Sequence, residues 1–129
     1  MSYEARIVVA GSRSYNNYDE FDFMLKKLLS KVDKSNCVII SGVARDGPDA
    51  MAIYWCITNG WKYTKFAADW DKFKKAAGYI RNIAMKKVAT RVIVFWDFIS
   101  KGSEHMFNIS SEDKSIHTSL VIVLPDAHT

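Results

Sequence analysis

An α/β fold, a parallel sheet with helices on both faces, is what this sequence predicts, and three observations predict it. Five short apolar runs bounded by Gly or polar turns alternate with stretches whose apolar residues recur at three- and four-residue steps. The connections are short, so each strand–helix–strand unit closes as a right-handed crossover. No internal repeat, low-complexity tract or linker interrupts the alternation. The expectation is one domain, 1–129, built as a three-layer sandwich around a five-stranded parallel sheet in the order 3-2-1-4-5. Ligands of such sheets bind beyond the carboxyl ends of the strands, where the order reverses between the first and fourth strands.

Residues 6–10 (RIVVA) form a near-continuous apolar run ended by Gly11, a strand covered on both faces. From Tyr18 the period changes. Phe21, Met24, Leu25, Leu28, Leu29 and Val32 mark one apolar helix face, with Asp19 and Glu20 at its start and Lys26, Lys27 and Lys31 toward its end, as the macrodipole favours. Residues 33–36 read as a loop and 38–40 as the second strand. Ser41-Gly42 and a polar turn with Arg45, Asp46 and Gly47 lead into a helix over Pro48–Asn59, closed by Gly60. Residues 61–66 are the third strand and 67–75 an aromatic, charged connector without clear period. A helix over 76–88 buries Ile80, Ile83, Ala84 and Val88. Residues 91–96 (RVIVFW) are the fourth strand, Gly102-Ser103 opens a helix to about Ser111, and 120–124 (LVIVL) is the fifth strand, stopped by Pro125.

Composition narrows the function classes. At 49% hydrophobic and 25% charged residues the chain has the balance of a soluble globular domain. No apolar run approaches the ~20 residues that span a bilayer, and MSYEAR has no signal-peptide core. Cys37 and Cys56 sit in apolar settings, the pattern of buried free thiols rather than a disulfide framework. Together these features argue for the cytoplasm. The net charge of +4 is mild. Lys72, Lys74, Lys75, Arg81, Lys86, Lys87 and Arg91 crowd one third of the chain, read as a solvated helix face in preference to a nucleic-acid surface. Tyr54, Trp55 and Trp61 are many large aromatics for one helix and its edge. They cover core or form a subunit contact, and a homo-oligomer is the expectation.

The topology gathers four turns on one rim: Gly11-Ser12-Arg13, Ser41-Gly42-Val43, residues 67–70, and Trp96-Asp97 leading to Gly102-Ser103. Small residues let a ligand approach the backbone, and hydroxyls with N–H groups suit phosphate or ribose oxygens. Arg13 and Arg81 are cationic partners able to clamp phosphate through two bonds. Tyr15, Trp70, Trp96 and Phe98 could stack a base, although for Trp70 and Trp96 a place in the core is the favoured reading. There is no G-x-x-x-x-G-K-[ST] and no G-x-G-x-x-G after the first strand, which argues against ATP hydrolysis and ordinary dinucleotide redox chemistry. No cofactor is expected, and His105, His117 and His128 with the two cysteines lack metal-ligand spacing.

Gly11-Ser12-Arg13-x-Tyr15, Ser41-Gly42-x-Ala44-Arg45 with Asp49 and Ala52, Ala68-Asp69-Trp70, Gly78-x-x-Arg81-Asn82-x-x-Met85, and Phe95-Trp96-Asp97-x-x-Ser100-x-Gly102-Ser103 occur in this order. The set resembles the SLOG superfamily, named for the Smf/DprA and LOG proteins, and most of all its small single-domain branch related to YspA and YpsA, common in bacteria and phages. The resemblance implies a Rossmann-like fold and a pocket for a nucleotide or a nucleotide-derived signal: a phosphorylated nucleoside, an ADP-ribose-like molecule or a cyclic nucleotide. A phage-encoded member would sequester a host immune signal of that kind.

The implied contacts are Gly11, Ser12, Ser41, Gly42, Val43, Gly102 and Ser103 through backbone or hydroxyl, Arg13 and Arg81 on phosphate, and Asp49, Asn82 and Asp97 on ribose or base, beside Trp70 and Trp96. LOG enzymes are phosphoribohydrolases that use an Arg and a Glu. Arg81 matches the Arg, but Met106 stands at the position of the Glu, and a thioether cannot stabilise the oxocarbenium-like state of N-glycosidic cleavage. Binding is therefore favoured over hydrolysis, with Asp97 or Glu104 as the substitute carboxylate in the hydrolytic alternative. Single-stranded DNA binding on the Lys72-to-Arg91 face, as in DprA relatives, is the weaker alternative. A second departure is the turn after the second strand, where relatives read Gly-Gly-Ala and Val43 replaces a Gly.

Overall fold

The computed structural model describes residues 2–44 and 46–124; Arg45, Pro125 and His128, read above in the turn, as a strand stop and in the histidine pattern, lie outside them. Among the described residues the chain runs β1 (Ala5–Gly11), α1 (Tyr18–Leu28), β2 (Cys37–Ser41), α2 (Pro48–Asn59), β3 (Lys62–Lys65), α3 (Trp70–Phe73), α4 (Ala77–Val88), β4 (Arg91–Trp96), α5 (Lys101–Ser111) and β5 (His117–Ile122). The strands pair in parallel in the order β3-β2-β1-β4-β5, the order the alternation predicts.

Strand alternation sorts the core into two halves. Ile7, Val9, Ile39, Ile93 and Phe95 pack on one face with Phe21 and Leu25 of α1 and Trp55 of α2. Val8, Ala10, Ile40, Val92 and Val94 pack on the other with Met85 of α4 and Met106 of α5. A strand covered twice has no polar face to show, which is why β1, β2 and β4 read as unbroken apolar runs. Helix ends follow the capping rules. Asn17 Oδ1 accepts the Glu20 N–H at 3.1 Å to open α1, Pro48 begins α2, and Gly60 closes α2 at φ +72° with its N–H on the Cys56 carbonyl.

Several boundaries differ from expectation. β5 starts at His117, paired with Arg91, and ends at Ile122, not over 120–124. It is an edge strand with polar residues in its first half, so its apolar run marks only its end. β3 is shorter than 61–66 because Trp61 packs on Trp55, ring centroids 5.3 Å apart. The apolar period of α1 outruns the helix: Leu29 caps it, and Val32 donates back to the Leu29 carbonyl in a turn. The connector holds the short helix α3, capped by Asp69 Oδ1 on the Lys72 N–H at 3.1 Å. A 3-10 turn at Lys74–Ala76 follows α3. α5 begins at Lys101 because Ser100 is its cap.

The aromatics of α2 divide. Trp55 is buried, its Nε1 donating to Asp22 Oδ1 at 2.8 Å, while Tyr54 stays exposed and meets Tyr18 edge-on. Cys37 and Cys56 are buried free thiols, and burial pushes them up to about 11 and about 12. The basic cluster is no single face. Lys86 pairs with Asp113 at 3.5 Å, Arg91 donates to the Leu28 carbonyl at 3.0 Å at the amino end of β4, and Arg81 turns to the opposite, carboxyl edge.

Gly11 shows how tightly β1, β4 and α2 meet. A Cβ there would run into the Phe95 carbonyl oxygen and come within 2.6 Å of Pro48 Cγ. Gly11→Ala is expected to destabilise the fold by about 3 kcal/mol through overpacking, read as a lowered urea midpoint with unchanged slope.

Candidate functional site

A cleft of about 490 Å³ opens at the carboxyl ends of β1 and β4, where the strand order reverses. Its walls come from the turns after β1 and β4 and from the first turns of α2, α4 and α5, and Met85 and Met106 lie on its floor. Beside it lies a second cleft of about 400 Å³ formed by Gly42, Val43, Ala67 and Ala68. The two share Arg13, Ala44, Trp70 and Arg81 as a common wall. The four turns gathered by the sequence argument thus do converge.

Arg81 is the best-anchored cation. Its Nη1 donates to the Gly42 carbonyl at 2.5 Å and its Nε to Asn82 Oδ1 at 3.1 Å. A Cβ at Gly42 would stand 2.7 Å from Arg81 Nη1 and 2.8 Å from Asp49 Oδ2, so the glycine is what lets the guanidinium reach the end of β2. Burial lowers the Arg81 pKa, Asp49 counteracts this, and Arg13 adds to it. A guanidinium remains charged regardless. Arg13 is exposed and Lys75 joins it on the main cleft, so among the described residues three cations border the space.

Two carboxylates share the cleft and behave oppositely. Asp49 is buried, and burial pushes its pKa up to about 6 against the pull of Arg81, the Ala44 amide and Arg13. At Asp97 burial also favours the neutral form. The N–H groups of Ser100 and Ile99, donating to Oδ1 at 3.0 and 2.8 Å, and the Ser12 hydroxyl together outweigh it and hold the carboxyl below the usual range. Asp97 is therefore a carboxylate at neutral pH and can donate no proton.

Other expected contacts are spent inside the protein. Ser41 is fully buried, its Oγ donating to the Asp49 carbonyl at 2.8 Å and accepting the Val43 N–H at 3.1 Å. Ser12 ties β1 to β4: its N–H donates to the Phe95 carbonyl at 2.9 Å and its Oγ accepts the Asp97 N–H at 3.1 Å. Ser12 still lines the cleft, as do Gly11, Asn82, Gly102 and Ser103. Gly102 is exposed, with open space where a Cβ would sit. Among the aromatics only Trp70 borders both clefts, half exposed. Tyr15 stacks on Phe95 in the core, and Trp96 is buried against Phe98 and Phe107 with its Nε1 on the Ser100 carbonyl. Strand-end aromatics split this way because alternate positions face opposite layers. Met106, at the position where the resemblance to the LOG enzymes implies a Glu, is buried on the cleft floor, and Glu104 falls outside the lining. Lys75, Gly78, Tyr79 and Ile99 line the cleft without having been expected there, although Gly78 belongs to the Gly78-x-x-Arg81 spacing. Among the described residues no group of three or more His, Cys, Asp or Glu could hold a metal ion, and no helix is long and apolar enough to cross a membrane.

Val43 adopts φ +58°, a left-handed conformation that β-branched residues rarely enter and that favours Gly, the residue the family resemblance implies here. Val43→Gly is expected to stabilise the protein by about 1 kcal/mol, relief of strain exceeding the added chain entropy, measured by urea unfolding. Asp49 carries a pH signature. Its folded pKa lies above its unfolded value of 3.8, so the native state binds the extra proton between pH 4 and 6, and stability contributed there falls as pH rises. Asp49→Asn should therefore gain on the wild type by up to about 3 kcal/mol between pH 4 and 7, seen as the difference between their unfolding curves.

Two comparisons bear on descent and fold, and a third, with curated proteins, finds no match. The crystal structure of DNA processing protein A (DprA) from Streptococcus pneumoniae superposes with a TM-score of 0.70 at 19% identity, covering 98% of this chain and 52% of that one. This chain thus spans about half the length of that neighbour, and the likeness establishes the Rossmann-like fold. The profile of the YspA, cpYpsA-related SLOG family matches residues 5–73, which include Arg13, Gly42, Asp49 and Trp70 of the cleft wall. The chain belongs to the YspA, cpYpsA-related SLOG family.

Proposed function

We propose that the paired clefts bind a phosphorylated nucleoside derivative and hold it without turning it over. The observation that carries this reading is the common wall, where Arg13 and Arg81 stand beside Trp70 at the strand-order reversal. Phosphate lies against the guanidiniums, a base stacks on Trp70, and Asn82 and Asp97 bond ribose hydroxyls. Because both clefts open from that wall, the favoured ligands carry phosphate between two bulky parts, as ADP-ribose-like molecules and cyclic dinucleotides do. Membership of a SLOG family supports a nucleotide-related role. Holding a signalling nucleotide without cleavage is sequestration, the activity an anti-defence protein would need. A homo-oligomer would use the exposed Phe23, Tyr54 and Ile57 of α1 and α2.

Hydrolysis is the second reading, kept because Asp97 is a carboxylate lining the same cleft as Arg81. Met106 weighs against it, since the thioether replaces the group that would stabilise the oxocarbenium.

Thermal melts with AMP, ADP-ribose, a cyclic dinucleotide and single-stranded DNA test the reading, the last because the structural neighbour is by title a DNA-processing protein. At least one nucleotide is expected to raise Tm by mass action. Arg81→Met is expected to weaken that ligand by more than about tenfold, the worth of a lost charge-assisted bond. Chromatography of the incubated ligand should show no free base. Release of base establishes the hydrolytic reading, and a shift with DNA alone overturns the nucleotide one.

A further inference from the structure

Asn82 is buried between two helices and makes three polar contacts at once. Its Oδ1 accepts from Arg81 Nε at 3.1 Å, while its Nδ2 reaches the Gly102 carbonyl at 3.2 Å and His105 Nδ1 at 3.2 Å. An amide nitrogen only donates, so His105 Nδ1 accepts, and the imidazole is neutral with its proton on Nε2. The opposite amide orientation would set oxygen against the Gly102 carbonyl and N–H against Arg81 Nε, two repulsive contacts. Gly102 and Arg81 set the orientation in which Asn82 takes the Arg81 N–H, and His105 supplies the second acceptor that holds Nδ2 there. Tyr79 packs on the imidazole with ring centroids 4.6 Å apart, and burial lowers the His105 pKa, which favours the neutral ring.

We propose that His105 is a positioning residue of the anion site, acting through Asn82 to aim the Arg81 guanidinium, although it does not line the cleft. The inference rests on the nucleotide reading for its purpose, but the relay itself is a property of the empty protein.

Inorganic pyrophosphate is the probe for binding, titrated by calorimetry. His105→Phe keeps a ring against Tyr79 and removes the acceptor; it is expected to weaken pyrophosphate about fivefold, the worth of one hydrogen bond, with Tm unchanged. His105→Asn, whose side-chain oxygen can take the place of Nδ1, is expected to retain the affinity. In an Arg81→Lys background, which lacks Nε, His105→Phe should have no further effect. In the ligand-free protein the Arg81 Nε–H proton should exchange slowly in the wild type and in His105→Asn, and faster in His105→Phe. An unchanged Nε–H exchange, or an equal loss of affinity with Arg81→Lys, overturns the relay. Failure of the wild type to bind pyrophosphate overturns the nucleotide reading instead, and the exchange measurement still decides the relay.

Discussion

One hydrogen bond organises this site: the guanidinium of Arg81, on α4, donating to the carbonyl of Gly42 at the end of β2. It closes the carboxyl edge of the sheet from the α4 side, and it can form only because residue 42 has no Cβ in the 2.7 Å left to Nη1. The cation is satisfied by a carbonyl and an amide oxygen, not by a contact ion pair. Its charge is therefore not cancelled at close range, and an incoming anion has something to gain from it. Asp49 stands behind the same glycine, close enough to feel Arg81, yet buried enough that its own charge is disfavoured. Burial treats the two groups differently: the Arg81 charge stays at any working pH, while the Asp49 charge is lost as pH falls through about 6.

The turn after β2 carries the strain that goes with this arrangement. Val43 at φ +58° and Phe98 at φ +65° follow the ends of β2 and β4, the strands that flank β1. Non-glycine residues persist in that region only where neighbouring contacts over-determine them. At Val43 these are the N–H on Ser41 Oγ and the adjacent Ala44 N–H on Asp49. At Phe98 they are the Asp97 carboxylate bonds to the two amides that follow. Each of these strand ends turns sharply around an internal polar side chain.

Much of this was legible in the residues alone, for an identifiable reason. Runs such as RIVVA and RVIVFW can only be strands covered on both sides, and five of them separated by helical periods leave few topologies. The Gly78-x-x-Arg81 spacing and the small residues after each strand located the rim. What escaped was direction. Ser41 and Ser12 looked like ligand hydroxyls, but short side chains at a strand end reach backbone groups first, and both are consumed in holding turns. Tyr15 and Trp96 looked like stacking surfaces, but their positions face the packed layers. β5 was placed late because an edge strand hides its polar half. His105, next to the Gly102-Ser103 turn, read as a solvated residue, since its contact comes from Asn82 on a different helix.

On the proposed nucleotide reading, whether the site holds or cuts its ligand comes down to what faces the ligand's sugar. Cleavage of an N-glycosidic bond needs an ionised carboxylate set against the developing positive charge. Asp97 is ionised, but one oxygen already receives two amide hydrogens, which spreads its charge into the turn it caps. A carboxylate so engaged is a weaker base and a weaker stabiliser than one aimed freely at the sugar. Asp49 is restricted differently: burial pushes its pKa up to about 6, so it keeps its proton into mildly acidic pH. Met106 supplies an apolar floor at the position where the resemblance implies a Glu. Two carboxylates with restricted chemistry, over a floor with none, leave a cavity whose strongest feature is fixed positive charge, and fixed charge of that sign retains an anionic ligand better than it breaks one.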